Sequence, residues 1–297
     1  MAEKAKKIWL NGLDAVFLQH QNVKKPFFKM KKSILLPLCG LLLASCSTVA
    51  LTGRKQLNLV SESEILSASL TEYQSYMKTA KLSTDAAATQ RVKTIAQRIA
   101  AAAEAYLKVT GQEADLQNYA WEFNLVNDNQ LNAFCMPGGK IVVYTGMVAL
   151  AGAGSEGDSE LAAVIGHEVA HALAKHGQER ASQQMLTNLG GQLLGVVTSG
   201  KSQELQQAVA TAYGMGTQYG ALLPFSRKHE LEADYIGIIL ATVAGYDADA
   251  AVNLWQKMQA ASTTSVPVFA STHPSSDKRI SELQKNIPKV KAEYGQK

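Results

Sequence analysis

Five consecutive residues, His167-Glu168-Val169-Ala170-His171, constrain the fold of this chain more than any other segment. They lie in an apolar stretch whose periodicity predicts a helix through Leu161 to His176, with Ser159 as its cap and Glu160 at its positive N-terminal end. Residues four apart share a helix face, so both imidazoles can reach one ion. Glu168 stands about 100° round the helix from His167. Unpartnered His and Glu are costly to bury, so a chance motif in an ordinary buried helix is the poorer reading. Zinc accepts neutral histidine nitrogens and lowers the pKa of bound water towards ~7. Glu168 can then take the water's proton, and the hydroxide can attack a peptide carbonyl. Gly166, Ala170 and Ala172 keep the helix slim enough for close packing.

A catalytic zinc wants three protein ligands and one open position. A third histidine in the short HxxGxxH pattern is absent, because Ala174 and Gly177 hold the glycine and histidine positions. His176 misses by one residue and reads as a supporting or surface group. The best candidate lies in Ser226 to Asp234, where Glu230 and Asp234 share a helix face and Glu232 points away. One carboxylate could bind zinc while the other steadies a ligating histidine. A solvated acidic helix face explains the same spacing equally well. Glu230 follows His171 by 59 residues, so a second helix has to fold back onto the first.

The remaining pattern predicts a mainly helical α+β fold. Glu64 to Ala80 and Asp85 to Leu107 read as helices, the second burying Val92, Ile95, Ala96, Ile99 and Ala103 on one face. Trp121 to Val126, Leu131 to Met136 and Ile141 to Tyr144 read as strands of a small antiparallel sheet, with turns at Asn127-Asp128-Asn129 and Pro137-Gly138-Gly139. Ser155 to Asp158 reads as a loop. Residues 183–225, rich in Gly, Gln and Ala, read as a helical hairpin. Further helices are expected over Phe225 to Ala244, Asp247 to Ala261 and Ser276 to Asn286. Hydrophobic residues make up 46% of the 297, which suits a globular body.

The net charge of +4 belongs to one end of the chain. Residues 1–45 hold eight lysines against Glu3 and Asp14; setting these aside leaves 21 basic and 23 acidic residues. No basic surplus remains in the body to attract nucleic acid. Met30-Lys31-Lys32, the apolar run Ile34 to Leu43 and the ending Leu43-Ala44-Ser45-Cys46 read as a signal peptide, too short to span a bilayer. The ending resembles a bacterial lipoprotein box, which implies a lipid on Cys46. The organisation expected is an upstream extension (1–29), a signal peptide (30–45), a tether (46–62) and one catalytic domain (63–297). With Cys39 in the leader and Cys46 lipidated, Cys135 stands alone and reads as a packing residue.

LAAVIGHEVAHALAKH followed by SRKHELEADYIG resembles the M48 family of zinc metallopeptidases, in its bacterial periplasmic lipoprotein branch, which is related to a mitochondrial inner-membrane peptidase. TGRKQLNLVSE, LNAFCMPGGKIVVYTGM and STHPSSDKRI extend the likeness in the same order. The resemblance implies a zincin-like core with the sheet packed on the HExxH helix. It implies one zinc ion per chain on His167, His171 and Glu230, with Glu168 as base and Asp234 supporting a ligand. It also implies a peptide lying along Asn132, Ala133, Phe134, Gly138 and Gly139 as an added strand. His273 matches a position that, in some relatives, closes the zinc site or assists the oxyanion, and Arg279 follows six residues on.

The function so implied is cleavage of unfolded or misassembled envelope proteins by a lipid-anchored, periplasm-facing enzyme, on the outer membrane. The alternative is a zinc-bearing chaperone or assembly factor with little proteolysis.

Overall fold

The computed structural model describes residues 46–49, 52–218, 222–261, 273 and 277–295. The expected upstream extension and signal peptide lie outside the described residues. The body is α+β and mainly helical, as its periodicity predicts.

Strands β1 (Cys46–Thr48) and β2 (Lys55–Leu57) pair antiparallel. Helix α1 (Glu62–Met77) starts at a capping box, in which Ser61 and Glu64 satisfy each other's amides. Helix α2 (Ala86–Val109) is capped by Asp85 and buries Val92, Ile95, Ala96, Ile99 and Ala103, the stripe that periodicity selects. A 3-10 turn (Glu113–Asn118) leads to β3 (Glu122–Val126), β4 (Ala133–Met136) and β5 (Lys140–Tyr144). Among the described residues, seven helices follow: α3 (Thr145–Ala151), α4 (Gly154–Leu173), α5 (His176–Thr198), α6 (Gln203–Thr217), α7 (Leu223–Val243), α8 (Ala250–Ala261) and α9 (Asp277–Tyr294). Helix α9 runs past Pro288, because Ile287 and Val290 on either side are buried in the core. No helix among the described residues is long and apolar enough to cross a membrane.

Two expectations about the sheet need correction. The three-stranded sheet is mixed rather than antiparallel, in the order β3-β5-β4, with β3 parallel to β5. Residues 127–129 do not reverse the chain into a hairpin. They cross the end of the sheet, where Asp128 accepts the Thr145 hydroxyl and the Gly146 amide, so the next strand enters on the far side of β5. Of the two expected turns, only Pro137-Gly138-Gly139 makes a hairpin: the Gly139 amide donates to the Met136 carbonyl, and Gly138 and Gly139 take φ of +92° and +81°. This leaves β4 as an edge strand.

Helix α4 also begins at Gly154, five residues before the expected cap. Gly157 is required there, because a Cβ would stand 2.4 Å from the Gly152 carbonyl oxygen. Ser159 is thus inside the helix, donating to the Ser155 carbonyl and accepting the Asp247 amide. Glu160 is fully buried on Lys257 at 2.7 Å rather than facing a helix terminus.

The segment expected as a tether packs onto the body. Val49 is in the core, the Leu59 and Val60 amides donate to the Ser182 hydroxyl, and Arg54 reaches two buried carboxylates. Within the stretch 183–217, α5 and α6 form the expected hairpin, and Gly190 gives the Tyr213 ring its place.

Helices α4 and α7 cross at Gly166 and Gly237, where the two backbones come into contact. That crossing is what brings the two sequence motifs, 59 residues apart, to one point.

Candidate metal centre

His167, Glu168 and His171 project from α4, and Glu230 and Asp234 project from one face of α7. Four donors converge: His167, His171, Glu230 and His273 each offer an atom within 4.8 Å of all the others. The Nε2 atoms of His167 and His171 are 3.1 Å apart, and each lies 3.4 Å from a Glu230 oxygen. His273 Nδ1 stands 3.3 Å from His167 Nε2 and 3.1 Å from Glu230 Oε2. Two or three imidazoles with one carboxylate form a donor set suited to zinc.

The surroundings fit a cation as well. Glu168 is buried, and its Oε1 has no hydrogen-bond partner among the described residues, although it lies 3.5 Å from His273 Nε2. Burial raises the Glu168 carboxyl above the usual range, and the His273 and His167 imidazoles pull it back. Desolvation pushes the thiol of the half-buried Cys135 up in the same way.

The two helix-borne histidines of the cluster are each held from behind. His167 Nδ1 lies 3.0 Å from Asp234, and Arg279 grips both Asp234 oxygens at 2.6 and 2.5 Å while its Nη1 meets Glu230 at 3.0 Å. The guanidinium stacks on Trp255, 3.7 Å from the ring centre. Against the cost of burial, Arg279 and His167 hold Asp234 ionised. Burial likewise opposes charge on His167, but Asp234 and Glu230 prevail and raise it to about 9. His171 is held neutral by burial and by the His167 and His176 imidazoles, as a ligand must be.

Of the two roles expected for His176, supporting group or surface residue, the structure gives it the first. Helix α4 stops at Leu173, and Lys175 takes a left-handed φ of 54°, held by Glu62 and Asp115 at 2.9 Å each. That kink swings His176 back until its Nδ1 lies 2.8 Å from His171 Nδ1. His176 Nε2 then meets Glu232 at 2.9 Å. Its ring stacks on His229, 4.2 Å away, and His229 meets Glu179 at 2.9 Å. Burial pushes His176 down to about 4, against the pull of Glu232. Glu232 does point away from the donor cluster, and its partner is this histidine. No local pattern marks His176, His229, Glu179 and Arg54 as a group; only the kink and the helix crossing assemble them.

A cavity of about 180 Å³ opens beside the cluster, with Glu168, His171, His273, Tyr119, Leu66 and Gly138 in its walls. Of the strand residues expected to meet a peptide, Ala133 is buried and Phe134 stacks edge-on against Tyr76. Asn132 gives its carbonyl to Tyr144, and Gly139 faces Trp121.

The pattern of peptidase family M48 matches residues 86–287. The chain is 36% identical over 177 residues to the mitochondrial metalloendopeptidase OMA1 of Schizosaccharomyces pombe, covering 59% of this chain and 49% of that protein. Against the human metalloendopeptidase OMA1 it is 28% identical over 247 residues, 81% of this chain and 45% of the relative. Against the beta-barrel assembly-enhancing protease of Yersinia pestis it is 31% identical over 176 residues, 58% and 35% respectively. The chain thus spans about a third to a half of the length of these relatives.

Proposed function

Because the chain belongs to peptidase family M48, we propose that it is a zinc-dependent endopeptidase, with His167, His171 and Glu230 holding the ion and Glu168 acting as base. One observation carries this reading: four metal-ligating donors meet beside a buried carboxylate whose Oε1 lacks a hydrogen-bond partner among the described residues. When bound, zinc supplies an acidified water and a polarised carbonyl. The chain's own part is positional. Glu168 takes the proton of the attacking water and delivers it to the leaving amine. Asp234 fixes the ring of His167.

His273 is the group that closes the site at rest, supported by its contacts with His167, Glu230 and Glu168. A substrate displaces it and lies as an added strand along β4, the edge of the sheet, near Asn132, Ala133, Phe134, Gly138 and Gly139. Such main-chain recognition tolerates many sequences and favours extended, unfolded chains. The leader-like residues 30–45 and the box ending at Cys46 support export and lipid anchoring. The substrates are then unfolded or misassembled proteins of a bacterial envelope, at a periplasm-facing, outer-membrane site. One of the relatives is itself a beta-barrel assembly-enhancing protease.

The test compares cleavage of casein by the zinc-loaded chain and by Glu168→Gln. Cleavage by the parent alone is expected. If both forms hold zinc and neither cleaves, even after His273→Ala, the zinc-bearing chaperone becomes the better account. Cleavage by both would remove Glu168 from the base role.

A further inference from the structure

The two ligand histidines are supported unequally. His167 leans directly on a carboxylate held by Arg279. His171 leans on His176, then Glu232, and the series ends at Arg54, which lies outside the matched family region of residues 86–287.

The direction of this series follows from donor inventory. The Glu232 carboxylate can only accept, so His176 presents Nε2–H to it across 2.9 Å. A His176 that gives its one ring proton to Glu232 leaves Nδ1 to accept Nδ1–H from His171 across 2.8 Å. His171 is left with its lone pair on Nε2, the atom that faces His167 and Glu230. Reversing any link moves a proton onto the nitrogen that must bind metal.

Arg54 secures both sides of the relay. Its Nε donates to Glu232 Oε2 at 2.7 Å, beside the Thr52 hydroxyl on the other oxygen. Its terminal nitrogens meet Glu179 at 3.0 and 2.8 Å. Glu179 in turn holds His229, the ring stacked on His176. One planar guanidinium therefore fixes the carboxylate that orients His176 and the carboxylate that fixes its stacking partner, a fork that lysine cannot reproduce.

We infer that Arg54 is a positioning residue of the metal site: through Glu232 and His176 it fixes which nitrogen of His171 carries the proton. The hairpin of β1 and β2 is on this account a supporting wall of the site, although it lies more than a hundred residues from the nearest ligand in sequence. The inference rests on reading the donor cluster as a zinc site.

The test uses the full chain in detergent, zinc alone as probe, and competition against a chromophoric chelator. Cobalt spectra of the same samples report ligand geometry. Arg54→Ala is expected to weaken zinc about 10–100-fold, the usual cost of losing an outer-shell partner, and to shift the cobalt spectrum. Arg54→Lys should recover only part of this. Ser182→Ala loosens the same segment at the Leu59 and Val60 amides without touching the relay, and should leave zinc affinity and the cobalt spectrum unchanged. In a His176→Ala background Arg54→Ala should cost little more. Parent-like zinc binding by Arg54→Ala overturns the inference, and so does an equal loss in Ser182→Ala, which would make the effect one of general anchoring. A parent that binds no zinc removes the metal-site reading itself. Should Arg54→Ala not yield folded protein, Arg54→Lys carries the same comparison.

Discussion

Gly166 and Gly237 meet where the two motif-bearing helices cross, and neither has room for a methyl group. A Cβ on Gly166 would stand 2.8 Å from the Gly237 carbonyl oxygen, and one on Gly237 would stand 2.8 Å from the His167 amide nitrogen. The obstructing atoms are backbone, so the helices themselves would have to separate. Glu230 comes from one helix and both ligand histidines from the other, so separation opens the donor cluster. Gly237→Ala is expected to cost about 1–3 kcal/mol as overpacking and to lower bound zinc. Thermal melting and metal content check this, and a variant with unchanged zinc would show that the crossing can yield without disturbing the ligands.

The support behind His167 makes a second prediction. Asp234 accepts from Arg279 through both oxygens and faces His167 Nδ1 at 3.0 Å. Asparagine keeps the size but loses the charge and one acceptor. Asp234→Asn should weaken zinc about 10–100-fold while helix content measured by circular dichroism stays at the parent level. An unchanged zinc affinity would confine Asp234 to fold support.

His273 occupies the fourth donor position, 3.3 Å from His167 Nε2 and 3.5 Å from Glu168. A ligand there competes with water and substrate. His273→Ala is expected to raise the initial rate of casein cleavage several-fold at saturating zinc. A fall in rate with an unchanged KM would assign the imidazole to the transition state instead.

Much of this was legible in the sequence because it depends on short-range periodicity. The i, i+4 spacings of His167 with His171 and of Glu230 with Asp234 fix a shared face once a helix forms. The burial stripe of α2 follows from the same rule. What could not be read depends on long-range geometry. Lys175 adopts a left-handed conformation because Glu62 and Asp115 hold it, residues more than fifty positions away, and without that kink His176 falls off the face of His171. Arg54 meets Glu232 across 178 positions, and no local pattern announces such a pair. The parallel pairing of β3 with β5 escaped for a similar reason: residues 127–129 look like a turn, but their partners Lys81, Thr145 and Gly146 belong to other elements. Ser159 looked like a cap because Gly, Ser and Asp precede it, whereas Gly157 is demanded by contact with the Gly152 carbonyl.

The β4–β5 hairpin offers a test of stability rather than chemistry. Gly139 has φ of +81°, and a Cβ there would stand 2.6 Å from the Trp121 ring. Gly138 has φ of +92° but only ordinary contacts, at 3.6 Å and beyond. Alanine at Gly138 meets backbone strain alone, about 1–2 kcal/mol. Alanine at Gly139 meets strain and overpacking together, so its melting temperature should fall further than that of Gly138→Ala. The reverse order would mean that Trp121 moves aside freely, despite its hydrogen bond to Glu104.

Removing the metal should weaken the protein without unfolding it. In a small zinc module the ion supplies most of the folding energy and chelation unfolds the chain. Here the core is built from aliphatic residues on α2, α4, α7, α8 and α9, independent of the four donors. Glu230 also keeps a partner of its own, Arg279 at 3.0 Å, and the same guanidinium grips Asp234 behind His167. Zinc at a thousand times its Kd would add about 4 kcal/mol by mass action. A chelator should therefore abolish proteolysis and lower the melting temperature, while helical circular dichroism and a cooperative melt persist at 25 °C. Collapse of the helical signal on chelation would mean that Arg279 cannot hold the carboxylates alone, and that the ion is part of the fold.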